Sequence, residues 1–319
     1  MDEKSFTEAG PPDEVPETMV EEFSARLYSY LARNLVPGPL TYGFEYEFLP
    51  LEIMTPERVA EIGACLPGLG FRRLVDGSYG AADGLHIDFE PGGQLEYGSP
   101  PLLGGNEKRF RALLEHLVET NARIEELCGV RYEARAYLPG RVDAPLCLTS
   151  PRYRAMHELF TANGGRGREM MKATASIQLH VRIRSFAEMV PLFLYFQELA
   201  RDPEFRMSPE RREIWDTTEP SRCLLPEICG IKSELELLFR LVEHALQALD
   251  LETGVPFCQL EKPDFAAFLV HLTTIFTDVR LNLKGPTFEL RTMDSLPAAE
   301  FARRWRRFIA GVEALVARL

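Results

Sequence analysis

Thr41-Tyr-Gly-Phe-Glu-Tyr-Glu-Phe48 alternates aromatic residues with Gly43, Glu45 and Glu47. A strand sends alternate side chains to opposite faces, so Tyr42, Phe44, Tyr46 and Phe48 bury together while both glutamates share the other face. At about 3.3 Å per residue the two carboxylates stand about 7 Å apart. Glu90 ends a second such run, Leu85 to Glu90, and Glu96 follows across Pro91-Gly92-Gly93. Hard cations such as Mg²⁺ take oxygen ligands, and carboxylates from separate strands can supply them around bound phosphates. Any one of these glutamates alone reads more readily as a solvated strand edge; four of them together point to metal and phosphate chemistry. Thr174 to Arg184 puts Thr174, Ser176, Gln178, His180, Arg182 and Arg184 on one face. That face is plain surface or a substrate floor, and His180 taken alone is as readily structural as catalytic. Glu289 and Arg291 share a face on a late strand. Together they suit a metal-bound triphosphate, the Glu on the ion and the Arg on phosphate; as a lone pair they read first as a cross-strand salt bridge.

These strands need elements to hold them. Phe23, Leu27, Tyr28 and Leu31 recur at helical spacing within Val20–Asn34. Thr55-Pro56 reads as an N-cap and first helical residue of a helix to Cys65. Pro91-Gly92-Gly93 predicts a hairpin. Phe110 to Leu127 is a long amphipathic helix. Ser185-Phe-Ala-Glu188 and Ser233-Glu-Leu-Glu236 read as capping boxes, the first opening a helix to about Leu199. Phe276–Asn282 and Thr287–Met293 read as antiparallel strands joined at Lys284-Gly285-Pro286. A closing helix from Pro297 buries Phe301, Trp305, Phe308, Val312 and Leu315. Asn163 to Arg168 reads as a mobile loop. Strands and helices mix without strict βαβ alternation, so the fold class is α+β with an antiparallel sheet.

The chain has 319 residues, 45% of them apolar and 26% charged, which is ordinary for a globular protein with a sizeable core. No apolar run approaches the ~20 residues of a membrane span, and the acidic start is no signal peptide, so a cytoplasmic location is expected. Net charge is −12, of which the first 22 residues supply −7. We read residues 1–17 as a disordered acidic tail and 18–319 as one catalytic domain. This balance excludes a non-specific nucleic-acid binder. Cys65, Cys128, Cys147, Cys223, Cys229 and Cys258 form no CxxC pair or zinc spacing and read as reduced, mostly buried thiols. GxxxxGK(S/T), GxSxG and HExxH are all absent.

Several segments, in order, resemble the plant- and proteobacterial-type glutamate–cysteine ligases, a family that includes the ligase starting ergothioneine assembly. Gly43 to Phe48 is similar to the family's GxExE opening strand, and Glu90 to Glu96 matches EPGGQxE, the most specific signal. Arg152-Tyr153, Met156, Gly164, Gly167, Met170-Met171, Thr174 and Gln178 follow a third pattern. Glu213-Ile-Trp215, Arg222 with Leu225-Pro226, and the late block His271–Phe276, Val279–Leu281 and Glu289–Arg291 resemble two more. The coverage runs from about Gly43 to Asp294. The resemblance implies a glutamine-synthetase-like fold: an antiparallel sheet curved into a funnel, with helices on its outer face. It implies an ATP-dependent carboxylate–amine ligase in which Mg²⁺–ATP phosphorylates a carboxylate and an amine attacks the acyl phosphate to give an amide. By motif, Glu45, Glu47, Glu90, Glu96 and Glu289 would hold Mg²⁺, with Glu45, Glu90 and Arg291 catalytic. Gln94, Arg280 and Arg291 would meet the nucleotide. Arg222 would hold an acceptor carboxylate, and Gln178, His180 and Arg182 would line the substrate site. The expected partners are small amino acids, or a peptide or carrier-bound substrate, with no nucleic acid or membrane, in a monomer or homodimer.

The chain also departs from the family. The usual TxxQVNLD strand carries His180 for Asn and Arg182 for Asp, RLK reads Arg280-Leu-Asn282, FPEVR reads Phe276-Thr-Asp-Val-Arg280, and the RTGMLPF-like stretch reads Arg222 to Glu227. A guanidinium in place of a carboxylate predicts altered amino-acid specificity. Alternatives on the same fold are a phosphotransferase or nucleotidyltransferase, or a non-catalytic binding protein using the acidic tail.

Overall fold

The computed structural model describes residues 15–225, 228, 230–283 and 285–319. The expected acidic tail therefore lies almost wholly outside the described residues, as do Cys229 and Lys284 of the expected hairpin turn. The elements run α1 (Glu17–Asn34), β1 (Thr41–Pro50), α2 (Pro56–Cys65), β2 (Phe71–Arg73), β3 (Tyr79–Ala81), β4 (His86–Phe89), β5 (Leu95–Gly98), β6 (Leu102–Leu103), α3 (Glu107–Cys128), β7 (Tyr132–Glu133), α4 (Pro151–Ala162), α5 (Gly167–Ala173), β8 (Ile177–Arg182), α6 (Phe186–Arg201), α7 (Pro209–Thr218), α8 (Pro220–Cys223), α9 (Glu234–Gln247), α10 (Phe265–Leu272), β9 (Val279–Asn282), β10 (Thr287–Leu290) and α11 (Ala298–Val316).

Among the described residues the strands form one antiparallel sheet in the order β2-β3-β4-β5-β1-β8-β10-β9, with β6 and β7 pairing at the two ends of β1. This is the expected α+β architecture. The alternation in β1 does what strand geometry requires. Tyr42, Phe44, Tyr46 and Phe48 are buried, and Phe44 meets Phe110, Phe301 and Trp305 edge-on. Thus α3 and α11 cover the apolar face under β1. Phe193 and Phe196 of α6 do the same under Phe288 of β10. A second core cluster, built from Met156, Phe160, Met170, Trp215 and Phe276, joins α4, α5 and α7 and walls the polar face.

Several local expectations need correction. The strand expected over Phe276–Asn282 begins at Val279, because Phe276 bonds elsewhere: its N–H donates to Arg222 O and its carbonyl accepts from Trp215 Nε1. The strand from Thr287 ends at Leu290, where the Arg291 N–H turns to Asp278 O. The Ser185 capping box does not form; Glu188 accepts the Arg184 N–H and its guanidinium instead. At Ser233 the cap does form, with Ser233 Oγ accepting the Glu236 N–H at 3.2 Å. The segment from Asn163 is anchored, since Arg166 N donates to Thr217 O at 3.2 Å and a Cβ at Gly165 would stand 2.0 Å from that oxygen. The five described cysteines are free thiols; Cys147 and Cys223 are buried and Cys65, Cys128 and Cys258 half-buried.

Candidate active site

The strand register gathers the polar side chains. Asp88 of β4 faces Glu96 of β5, which faces Glu47 of β1. Glu45 faces Gln178 of β8, and His180 faces Glu289 of β10, which faces Arg280 of β9. Side chains in cross-strand register on one face stand close enough to interact. Residues 88, 96, 47, 45, 178, 180, 289 and 280 thus make one polar patch across six strands.

Glu90 is placed by the turn that follows β4. Its N–H donates to Gln94 O at 2.9 Å and its carbonyl accepts from Gly93 N at 2.8 Å. The glycines are obligatory here. Gly93 has φ +81°, and a Cβ on it would stand 2.6 Å from Met54 Cβ; a Cβ on Gly92 would stand 2.6 Å from the Lys172 backbone. Gln94 is a structural clamp: Oε1 accepts from Gly92 N at 2.8 Å, and Nε2 donates to Met171 O and Thr174 O, each at 3.1 Å. Gln94 thereby ties the turn to α5 while lining the chamber beside Glu90.

A chamber of about 270 Å³ opens above this patch. Glu45, Glu47, Glu90 and Glu96 line one side, Arg152, Arg280 and Arg291 contribute cations, and Tyr153, Met170, Trp215 and Phe276 form the apolar wall. A second, larger chamber of about 530 Å³ shares Glu45 and is bounded by His86, Ser99, Pro101, His180, Arg182 and Asn282. Glu289 lies under the floor, fully buried. Arg280 donates to its Oε2 through Nε and NH2 at 2.9 and 2.6 Å, and Arg291 NH1 donates to its Oε1. Arg291 NH1 also reaches Gln178 Oε1 at 2.6 Å, while Gln178 Nε2 donates to Glu47 Oε1 at 2.7 Å. Glu47 Oε2 further accepts the Ser176 N–H at 2.6 Å.

The carboxylates divide into two electrostatic classes. Burial pushes Glu289 up, but Arg280 and Arg291 outweigh it and hold the carboxyl at about 2. Burial likewise opposes ionisation of Glu45, yet the adjacent His180 brings the net shift downward; the same pairing raises His180 against its own burial. Burial raises Glu47 despite the Ser176 N–H and Arg211. Glu90 is pushed up to about 8 by burial and then by Glu47, Asp88 and Glu45. Glu96 rises well above the usual range by burial and by Glu45, Glu90 and Glu47. Partly desolvated like charges with too few cations among them are the electrostatic signature of a site that takes positive charge from outside. The donor set therefore fits divalent cations. Glu45, His180 and Glu289 bring one ligand atom each to within 4.8 Å of one another, the candidate cluster found among the described residues.

The structure thus brings together all five expected carboxylates, Gln178, Arg280 and Arg291, and sets His180 and Arg182 on the second chamber. Arg222 is not among them. It is fully buried outside both chambers, and its guanidinium donates to Thr274 O at 2.7 Å, to Thr274 Oγ1 and to Leu249 O. Sequence reasoning missed Arg211. This buried residue of α7 donates to Asp294 Oδ1 at 2.7 Å and to Arg291 O at 2.6 Å, so it fixes the backbone that carries Arg291. An arginine one turn before Trp215, in an otherwise polar helix, was the available signal. It also gave no role to Tyr153, Met170 and Trp215, whose shared wall depends on tertiary packing.

Residues 41–200 match the family described as Glutamate-cysteine ligase family 2 (GCS2). The chain is similar to the glutamate–cysteine ligase, chloroplastic, of Arabidopsis thaliana, 27% identical over 353 residues that cover 95% of this chain and 64% of that protein. The corresponding protein of Medicago truncatula is 26% identical over 351 residues, covering 95% and 66%. That of Brassica juncea is 27% identical over 353 residues, covering 95% and 65%. The chain therefore spans slightly less than two thirds of the length of these relatives. Among the described residues no helix is long and apolar enough to cross a membrane.

Proposed function

Because the chain belongs to glutamate-cysteine ligase family 2, we propose that it is an ATP-dependent ligase that joins a carboxylic acid to an amine through an acyl phosphate. The observation that carries this reading is the position of Glu45, the one carboxylate on the border of both chambers. The larger chamber has the size of a nucleotide site, since pockets for drug-sized ligands hold roughly 300–1,000 Å³. The smaller, at about 270 Å³, suits an amino acid. A carboxylate held by Arg152 and Arg291 in the small chamber would face the γ-phosphorus of a nucleotide in the large one across Glu45. Its oxygen attacks, ADP departs, and the amine then displaces phosphate from the acyl carbon. Divalent cations bound by Glu45, Glu47, Glu90, Glu96 and Glu289 would neutralise the phosphates. Arg291, gripped by Gln178 and Glu289, presents its remaining donors without needing to reorganise. Tyr153, Met170 and Trp215 form the apolar wall of the small chamber.

On this reading His180 and Arg182, both on the large chamber, act on the nucleotide side. The altered amino-acid preference would then come from the wall of the small chamber. The substrates are small amino acids or their derivatives, and the cytoplasmic location remains part of this reading. Incubating the full chain with Mg²⁺–ATP and pairs of amino acids tests it. ADP, phosphate and an amide in equal amounts are expected. AMP or a stable phosphate ester would replace ligation by nucleotidyl or phosphoryl transfer, and no heat on titration with Mg²⁺–ATP would leave a binding protein.

A further inference from the structure

One row of residues carries the polar face past the two chambers to the edge of the sheet. Arg72 of β2 faces Gly80 of β3, which faces His86 of β4; His86 faces Gly98 of β5, and Gly98 faces Glu45 of β1. Register partners share a face, so Arg72, His86 and Glu45 all stand on the carboxylate side. The two glycines keep the row open between them. A Cβ on Gly98 would stand 2.0 Å from His86 Nε2, so the imidazole reaches across β5 and brings that nitrogen within one strand of Glu45. A Cβ on Gly80 would stand 3.2 Å from Leu74 Cδ1, so the Leu74 side chain covers this position and gives the row an apolar middle.

A groove of about 680 Å³ lies over this part of the row, lined by Arg72, Arg73, Leu74, Asp76, His86 and Asp88. His86 also bounds the large chamber, so groove and chamber meet at its ring. The scheme above puts the acid in the small chamber and the nucleotide in the large one, and gives the amine no place. The groove reaches the row of Glu45 from the remaining side. Its charges are ordered. Asp88, the register partner of Glu96, stands at the inner end, and the exposed Arg72 and Arg73 stand at the outer end. A ligand with its ammonium inward and a carboxylate outward matches that order, whereas a polyphosphate would meet Asp88. Two strand spacings of about 4.8 Å separate His86 from Arg72, about 10 Å in all, which three extended residues at about 3.3 Å each would span.

We propose that this groove holds the amine substrate, that the amine is the N-terminus of a short peptide whose C-terminal carboxylate meets Arg72, and that His86 takes its proton. The inference rests on the ligase reading and names the acceptor within it. The incoming ammonium gives one proton to His86 Nε2, which later passes it to water. The freed lone pair forms the C–N bond to the acyl carbon. The C–O bond to phosphate breaks with its electron pair on the phosphate, and the second amine proton leaves with that phosphate. Leu74 lies beneath the middle of the peptide, and Arg72 presents its planar fork to the carboxylate.

The test uses the full chain with Mg²⁺–ATP. Each common amino acid is first offered as the acid with hydroxylamine, a nucleophile too small to need the groove, and the hydroxamate formed identifies the acid. Glycine, triglycine and triglycine amide are then compared as amines with that acid. Triglycine is expected to exceed the other two in kcat/KM by about tenfold or more, the worth of one charged hydrogen-bonded contact. Arg72→Gln should raise KM for triglycine about tenfold and remove its advantage over the amide. His86→Gln should lower kcat with triglycine about a hundredfold and reduce the ratio of peptide amide to hydroxamate. Equal use of the three amines, an advantage of triglycine that survives Arg72→Gln, or an unchanged ratio in His86→Gln would overturn the proposal while hydroxamate formation left the ligase reading standing. Absence of hydroxamate with every acid would overturn the ligase reading and the acceptor groove with it.

Discussion

Replacing Glu90 by Gln should stabilise the metal-free protein and abolish its activity. Glu90 stands at the end of a tight turn, half-buried, with Glu47, Asp88 and Glu45 as its electrostatic neighbours. Its carboxyl is pushed up from an ordinary 4.5 to about 8. The folded state therefore holds a proton there that the unfolded chain has released, so stability falls as pH rises through that window. At about 1.4 kcal/mol per pH unit the full loss is roughly 5 kcal/mol, and partial exposure reduces it to about 3. For a chain of 319 residues, at about 2.1 cal/mol/K of unfolding entropy per residue, this is about 4–7 °C in Tm. Gln keeps the shape and cannot ionise. In EDTA, the Tm advantage of Glu90→Gln should be small near pH 5 and widen to that size by pH 8. Saturating Mg²⁺ should raise the wild type and narrow the gap. ADP release by the variant should fall to background. Parallel Tm curves from pH 5 to 8 would refute the unpaired-charge argument, and turnover at the wild-type rate would refute the metal role.

Three further outcomes follow from the same geometry. Arg222→Lys should lower Tm, because a buried cation loses its fan of acceptors at Thr274 and Leu249, at a cost of about 3 kcal/mol; steady-state kinetics below the transition should show both KM values within about twofold of wild type. Gly93→Ala should lose ADP release and at least about 1 kcal/mol of stability by urea melts, since φ is +81° and the added Cβ meets Met54 at 2.6 Å. Trp215→Ala should raise KM for the acid about tenfold with KM for ATP unchanged, and Asn282→Trp should do the reverse. The same chamber responding to both substitutions would remove the two-chamber assignment.

Much of this arrangement is legible in the residue order, for reasons that can be separated. Period-two alternation is local, so β1 and its two glutamate positions are readable one residue at a time. The Pro-Gly-Gly turn is equally local, because only glycine accepts the conformation at Gly93. Register is not local. Nothing in the strand starting near Thr174 says that His180 stands between Gly43 and Glu289, and that pairing decides which chamber it serves. Arg222 shows the same limit from the other side. An arginine in a motif reads as a ligand binder, yet here NH1 and NH2 donate to Thr274 and Leu249, far apart in the chain. The Ser185 box fails for a local reason: Arg184 offers Glu188 a charged partner stronger than the backbone of Ser185.

The cost of crowding carboxylates explains why this patch lies on an antiparallel sheet with an aromatic underside. Each strand that carries an acid upward carries an apolar residue downward, two sides of one pleat. Burying a Phe-sized side chain contributes about 1.5–3 kcal/mol, and Tyr42, Phe44, Tyr46 and Phe48 all lie against α3 and α11 or their neighbours. That burial is of the order needed to offset the cost at Glu90, about 3 kcal/mol of desolvation and like-charge repulsion together, and the same two effects act on Glu96. The strands cannot slide to relieve the repulsion, because a one-residue slip would turn every aromatic toward the acids. The repulsion is thus retained in the absence of a cation, and on the proposed reading a bound cation would relieve it. Softening the underside with Phe44→Ala should therefore weaken divalent-cation affinity together with stability, although the Phe44 ring packs against Phe110, Phe301 and Trp305 on the face away from the carboxylates. Calorimetric titration of that variant with Mg²⁺, at a temperature where it remains folded, would expose the coupling; unchanged affinity would show that the carboxylates hold their places without the core.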